Sequence, residues 1–114
     1  MQIIKVEQNT KIPIKWTAPE AIAKHIFSTK SDVWSFGVLF WEVCSLGMEP
    51  YPGVNISQVF GLIACGKRLG QPIKCRRDFY ELMKSCWSWR PEDRPTFRQL
   101  RSTLTQIHKR MHKC

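Results

Sequence analysis

Lys15-Trp16-Thr17-Ala18-Pro19-Glu20, followed by Ser31-Asp32-Val33-Trp34-Ser35-Phe36-Gly37-Val38, is the stretch on which the fold turns. The second block opens the longest apolar run of the chain. Thr29-x-x-Asp32 reads as an N-cap pair ahead of it and Gly47 as its C-terminal stop, so a helix is predicted over about Ser31 to Leu46. Val33, Trp34, Phe36, Val38, Leu39, Phe40, Trp41, Val43 and Leu46 set apolar groups on most of its circumference. A helix apolar on all sides belongs at the centre of a protein, here one larger than this chain. Ser35, Gly37, Glu42 and Ser45 interrupt the run, which falls short of the roughly 18 consecutive apolar residues that a membrane helix needs.

Downstream, Met48 to Val54 is a turn-rich connector with Pro50, Pro52 and Gly53. Asn55-x-x-Gln58 reads as a capping box for a second helix ending near Gly66, with Ile56, Val59, Phe60 and Ile63 at i, i+3, i+4, i+7. Phe79, Leu82, Met83 and Cys86 repeat that spacing in a short third helix. A loop with two prolines leads to Thr96-x-x-Gln99, a capping box for the last helix, whose stripe is Phe97, Leu100, Leu104, Ile107 and Met111. Two heptads are too short to specify a coiled coil, so the stripe reads as core. No strand pattern is persuasive. Gln2 to Val6 is a weak candidate that would need a partner outside the chain.

With 114 residues, 43% apolar and five tryptophans, the chain has the means to build a core. There are no internal repeats. Met1 to Lys11 shows no signal-peptide pattern. The five cysteines, Cys44, Cys65, Cys75, Cys86 and Cys114, are odd in number and lack a C-x-x-C pair, which fits reduced intracellular thiols. Cys44 and Cys86 sit in apolar helical patterns as small core residues. The net charge of +9 would suit nucleic acid or anionic lipid, but no stacking pattern or nucleic-acid motif accompanies it. The charge therefore reads as a solvated face toward acidic peptide or an acidic neighbouring lobe. His108, His112 and Cys114 have chelating residue types, but the simpler reading of residues 108–114 is a basic tail, and no metal is assigned.

Four blocks, in order, carry a family resemblance. They are Lys11 to Glu20, Phe27 to Gly37, Pro50-Tyr51-Pro52-Gly53, and Tyr80-Glu81-Leu82-Met83 with Cys86-Trp87 and Arg94-Pro95. Together they resemble the second half of a protein-tyrosine kinase domain, in which Ala-Pro-Glu closes the activation segment. Pro13-Ile14-Lys15-Trp16 and the Cys86-Trp87…Arg94-Pro95 pair favour the tyrosine-specific branch. The wording from Gly47 to Gly53 and at Ser57-Gln58-Val59 is similar to cytoplasmic kinases of the Src and Abelson type.

The resemblance implies a mostly α fold, the C-terminal helical part of the protein-kinase-like (α+β) fold, and incomplete. It implies that Pro13, Ile14, Lys15 and Trp16 line the groove beside the substrate tyrosine, with the proline a rigid apolar platform for a ring. Glu20 and Arg94 would form a buried ion pair tying the activation segment to the last helices. Read from the sequence alone, both would be ordinary surface charges. Asp32 would accept hydrogen bonds from the catalytic-loop backbone. Ile56, Val59, Phe60 and Ile63 would form a docking helix for substrates or regulators, and simple packing explains that stripe equally well.

The chemistry of phosphoryl transfer needs a Gly-rich loop, a strand lysine, a catalytic aspartate and Mg²⁺ ligands. None of these motifs occurs here, so no catalytic residue is assigned. Arg76-Arg77-Asp78-Phe79 mimics two of them, but Met83 stands where the catalytic-loop asparagine belongs and Tyr80 where D-F-G needs glycine. Gly61-x-x-x-x-Gly66-Lys67 mimics a phosphate loop, but Arg68 replaces the Mg²⁺-holding hydroxyl and the segment ends a helix. Ile4 stands where an activation-loop tyrosine is expected, so residues 1–10 read as divergent or as a mis-set start.

The sequence thus reads as residues 1–114 of a partial tyrosine-kinase domain, with ATP and Mg²⁺ belonging to the complete parent and none to this chain alone. The expected partners are protein substrates bearing tyrosine and an upstream kinase lobe or regulators. The expected setting is the cytoplasm, or the cytoplasmic part of a receptor. The alternative is a truncated, non-catalytic module that binds kinase substrates or regulators. With its central helix uncovered, the chain is expected to be poorly soluble or molten on its own.

Overall fold

Helix α2, Thr29–Cys44, is the axis of the fold. Its N-cap is Ser28, not Thr29. The Ser28 hydroxyl accepts from the Ser31 N–H, and the Ser31 hydroxyl accepts from the Ser28 N–H at 2.7 Å. This reciprocal pair starts the helix two residues earlier than the Thr29/Asp32 reading and leaves Asp32 exposed in the first turn. At the other end the left-handed position falls on Leu46 (φ 62°), one residue before Gly47 (φ 89°). The Leu46 N–H bonds to Val43 O and the Gly47 N–H to Glu42 O, so the last carbonyls are satisfied by a Schellman turn.

The computed structural model describes residues 3–5 and 13–112. The readings made for the rest of 1–12, and for Lys113 and Cys114 at the end of the basic tail, lie outside the described residues. β1, Ile3–Lys5, pairs antiparallel with β2, Ile26–Ser28, in the register Ile3↔Ser28, Ile4↔Phe27 and Lys5↔Ile26. The strand candidate near the N-terminus therefore finds its partner inside the chain. β2 is three residues long and runs straight into α2, too short to show an alternating pattern.

α1, Pro19–Lys24, begins on a proline, whose missing N–H costs nothing at a helix start. α3, Ile56–Ala64, follows Asn55, whose side chain makes no cap bond. The expected Asn55/Gln58 box does not form. α4, Arg77–Cys86, starts two residues ahead of the apolar stripe. α5, Phe97–Met111, opens on Thr96, and here the box with Gln99 is complete: the Thr96 N–H donates to Gln99 Oε1 at 2.9 Å and the Gln99 N–H to Thr96 Oγ1 at 3.1 Å.

The fold is mostly helical, and its core lies where α2 meets α4. Val33, Trp34, Val38, Met83 and Cys86 are at most 1% exposed. Gly37 makes the close approach possible. A Cβ there would stand 2.7 Å from both Cys86 Cβ and Trp87 Nε1. Cys86 is thus a core residue as expected, whereas Cys44, at the end of α2, is only half-buried. The opposite side of α2 is open: Leu39 and Val43 are more than half exposed, and Leu46 is 93% exposed.

Candidate functional site

The segment from Pro13 to Glu20 is held by α2 and by the turn ahead of α5. Ile14–Trp16 forms a 3-10 turn, closed by Trp16 N–H to Pro13 O at 3.0 Å and Thr17 N–H to Ile14 O at 3.1 Å. The Thr17 hydroxyl donates to Pro13 O at 2.7 Å. α2 then fixes the turn from below. The Ser35 hydroxyl donates to Trp16 O at 2.7 Å, and the Trp16 indole N–H donates to the Glu42 carboxylate. Glu42, which breaks the apolar run of α2, thus anchors this turn.

The side chains of the turn point different ways. Pro13 is exposed, and Ile14 and Trp16 are half-buried. Lys15 is turned inward, donating to Tyr51 O at 3.1 Å and to Glu49 Oε1 at 3.2 Å. Tyr51 is itself buried, in a left-handed conformation (φ 47°) between Pro50 and Pro52. Burial pushes its phenol up to about 12, against a smaller opposing pull from Arg68. An outward surface built from this turn is therefore made by Pro13 with the edges of Ile14 and Trp16, while Lys15 ties it to the 49–51 connector.

Arg94 joins the distant parts. Its side chain has no exposed surface, and all five of its N–H donors are used. The fork meets Glu20 at 2.8 Å on both oxygens, and the remaining bonds run to Lys30 O at 3.0 Å, Ser88 O at 2.9 Å and Trp89 O at 3.2 Å. Lys30 Nζ returns a bond to Arg94 O at 2.6 Å. The guanidinium also lies 5.0 Å from the Trp34 ring centroid, with Arg68 at 5.3 Å from the same centroid. α1, the start of α2 and the turn before α5 are thereby one polar joint around a buried indole.

On α3, Val59 and Ile63 face the core at 0% and 1% exposure. Ile56 is 63% exposed, and Phe60 is half-buried with its ring 6.1 Å from that of Trp89. Phe60 and Trp89 line a recess of about 220 Å³ with Pro19, Ala23, Lys24 and Pro91. Of the α3 stripe, then, Ile56 and one face of Phe60 are surface. Asp32 is exposed, and among the described residues no ion pair engages it.

The two stretches that mimic nucleotide motifs have other tasks. Asp78 is gripped by the Arg76 fork at 3.0 and 3.1 Å and accepts from the Phe79 N–H, which holds its carboxyl below the usual range. Gly61 lies within α3, and Arg68 donates to Trp87 O at 2.8 Å and to Ile63 O at 3.0 Å. Neither forms a loop of free N–H groups that would fit a nucleotide phosphate or its metal ion.

Comparison with known proteins places this arrangement. The profile of the family described as "Protein tyrosine and serine/threonine kinase" matches residues 1–104. The Homo sapiens protein named Tyrosine-protein kinase ABL2 is 56% identical over 99 residues, covering 86% of this chain. The chain belongs to the protein-tyrosine kinase family. Tyrosine-protein kinase abl-1 of Caenorhabditis elegans is 53% identical over 97 residues, 85% of this chain. Fibroblast growth factor receptor 1 of Xenopus laevis is 47% identical over 103 residues, 90% of this chain. The kinase chain spans 8% of the length of the first two relatives and 13% of the third. Among its described residues, no helix is long and apolar enough to cross a membrane.

The sequence did not point to Ser35, Glu42, Lys30, Glu49 or Trp89. Each acts through a partner on a different element, and only the fold brings those partners within reach.

Proposed function

We propose that this chain is the peptide-substrate and lobe-stabilising portion of a protein-tyrosine kinase that transfers phosphate from ATP to tyrosine on proteins. The anchored turn at Pro13 to Trp16 carries the reading. It is a rigid, partly apolar ledge, pinned to α2 through Ser35 and Glu42 and to the connector through Lys15. A ledge held by these bonds supplies the positioning on which phosphoryl transfer depends. Arg94 and Glu20 keep the ledge attached to the helices, and exposed Asp32 is available to accept hydrogen bonds from an upstream catalytic loop.

In this reading ATP and Mg²⁺ belong to the complete kinase domain, whose Gly-rich loop, strand lysine, H-R-D and D-F-G motifs do not occur in this sequence. The substrates are tyrosine-bearing proteins and the setting is the cytoplasmic side of the cell. One relative is named a receptor, so the reading covers both a cytoplasmic enzyme and the cytoplasmic part of a receptor. A second reading, a non-catalytic module for substrates or regulators, rests on the exposed Ile56 and the Phe60–Trp89 recess.

The transcript upstream of the Met1 codon discriminates between them. An open frame that reaches H-R-D and D-F-G supports the kinase reading, and the encoded protein then phosphorylates a tyrosine-containing polymer with Mg·ATP. An in-frame stop supports the binding module. For the chain alone, calorimetry is expected to find no saturable ATP binding.

A further inference from the structure

In sequence His108 and His112 are two members of a basic tail; in the structure they are a pair. They stand four residues apart at the C-terminal end of α5 and so share a face of the helix. Their ring centres lie 4.4 Å apart, with the ring planes at 61°. This end of α5 is seated on the protein. Ile107, next to His108, is 1% exposed, and the His112 N–H closes the last turn on Lys109 O at 3.3 Å. Both imidazoles are themselves exposed. Among the described residues, the side-chain hydrogen bonds of α5 and its cap involve Thr96, Gln99 and Thr105 and leave both imidazoles untouched. Two imidazoles that share one metal ion, at a metal–nitrogen distance of about 2.0–2.1 Å, hold their ring centres roughly 4.5–5 Å apart. A small rotation of either exposed ring brings this pair to that spacing.

We propose that His108 and His112 form a bidentate site for a divalent transition-metal ion of the zinc, nickel and copper class, which clips the last turn of α5. Imidazole nitrogen suits these ions. Among the described residues no third histidine, cysteine or carboxylate joins the pair. Water therefore fills the remaining positions, and the ion is exchangeable, unlike one in a closed structural site. Lys109 and Arg110 flank the pair, and because both are exposed their repulsion of a cation is screened by salt. His108 also lines the apolar recess shared with Phe36, Phe97 and Leu104, so the ion sits at the edge of that recess. Only the helix holds the two rings together. The ion thus prefers the folded chain and stabilises this end of α5 by mass action. The proposal does not depend on the kinase reading.

The test is a Zn²⁺ titration of the full chain carrying Cys65→Ser and Cys114→Ser, which limits competition from thiols. Zn²⁺ is the probe because it has no redox chemistry with the cysteines that remain. The imidazole nitrogens are followed by ¹⁵N NMR, with His25, at the end of α1, as the internal reference. His108 and His112 should shift together and saturate at the same Zn²⁺ concentration, while His25 does not move. His108→Ala should weaken this binding roughly tenfold or more, through loss of the second, intramolecular contact. So should His108→Ala combined with Arg110→His, which keeps three histidines but sets the pair two residues apart, where they do not face each other. Concentrated urea, which melts α5, should weaken it as well. Three outcomes overturn the proposal: His108 and His112 saturating at different Zn²⁺ concentrations, His25 responding alongside them, or the relocated pair binding as tightly as the parent.

Discussion

The two sides of α2 are finished to different degrees. Toward α1, α4 and the 88–94 turn, every donor of Arg94 has a partner, and Val33, Trp34 and Val38 are sealed. Toward the outside, Leu39, Val43 and Leu46 lie open. Phe36, Phe97, Leu100 and Leu104 line a shallow apolar recess of about 430 Å³ between α2 and α5. Both sides are equally apolar in sequence. What distinguishes them is that, among the described residues, no element covers the outer side. The difference refines the expectation of a molten chain. The inner side has the packing of a core, so disorder and dye binding should concentrate on the outer face.

The largest effect is expected at the joint. Arg94→Met would strand the Glu20 carboxylate and the carbonyls of Lys30, Ser88 and Trp89 in a nearly dry site. The expected loss is roughly 3–5 kcal/mol, read as a fall in the urea midpoint. Gly37→Ala comes next. The new methyl would press on Cys86 and Trp87, which belong to the packed core and cannot yield, at about 1–3 kcal/mol.

High pH attacks the same inner side. Burial raises the Cys86 thiol from 9.0 to about 12, with Ser85 and Arg94 opposing, and raises the Tyr51 phenol from 10.0 to about 12. Above pH 9 the unfolded chain releases a proton that folded Cys86 keeps, and above pH 10 the same holds for Tyr51. Stability from these groups is thus complete below pH 9 and is lost as pH rises toward 12. The cost is at most about 1.4 kcal/mol per pH unit per group. Urea midpoints measured from pH 8 to pH 11 should fall steadily after pH 9.

Smaller effects separate formed caps from nominal ones. Ser28→Ala removes a working box and should cost about 1 kcal/mol. Asn55→Ala removes a side chain that caps nothing and should stay within about 0.5 kcal/mol. Equal losses at the two sites would show that Asn55 does cap α3.

The caps also show what could be read in advance. All four long helices were legible, because their apolar spacing and the Thr96/Gln99 box are local signals. Ser28 and Ser31 were missed because Thr29 and Asp32 offer the same chemistry one residue along, and only backbone geometry chooses between them. Asn55/Gln58 was over-read for the converse reason: the residue types fit, but the side chain makes no bond. β1 was undervalued because its partner is three residues long. At the candidate site, the blocks around Ala18-Pro19-Glu20 and Arg94-Pro95 carry the two residues that the structure joins, Glu20 and Arg94. The residues that fasten the Pro13–Trp16 turn, Ser35 and Glu42, are separated from it by long stretches of chain and leave no pattern in the sequence. Lys15, expected to line a groove, uses its ammonium to hold Tyr51 O and Glu49 instead.

The most direct measurement compares dye binding by the chain and by a variant carrying Leu39→Ser, Val43→Ser and Leu46→Ser. The chain should bind an apolar fluorescent dye, and the variant should lose most of that binding while tryptophan emission stays that of buried indoles. A monomer that binds no dye and unfolds in one sharp transition would contradict the account, as would dye binding that the three substitutions leave unchanged.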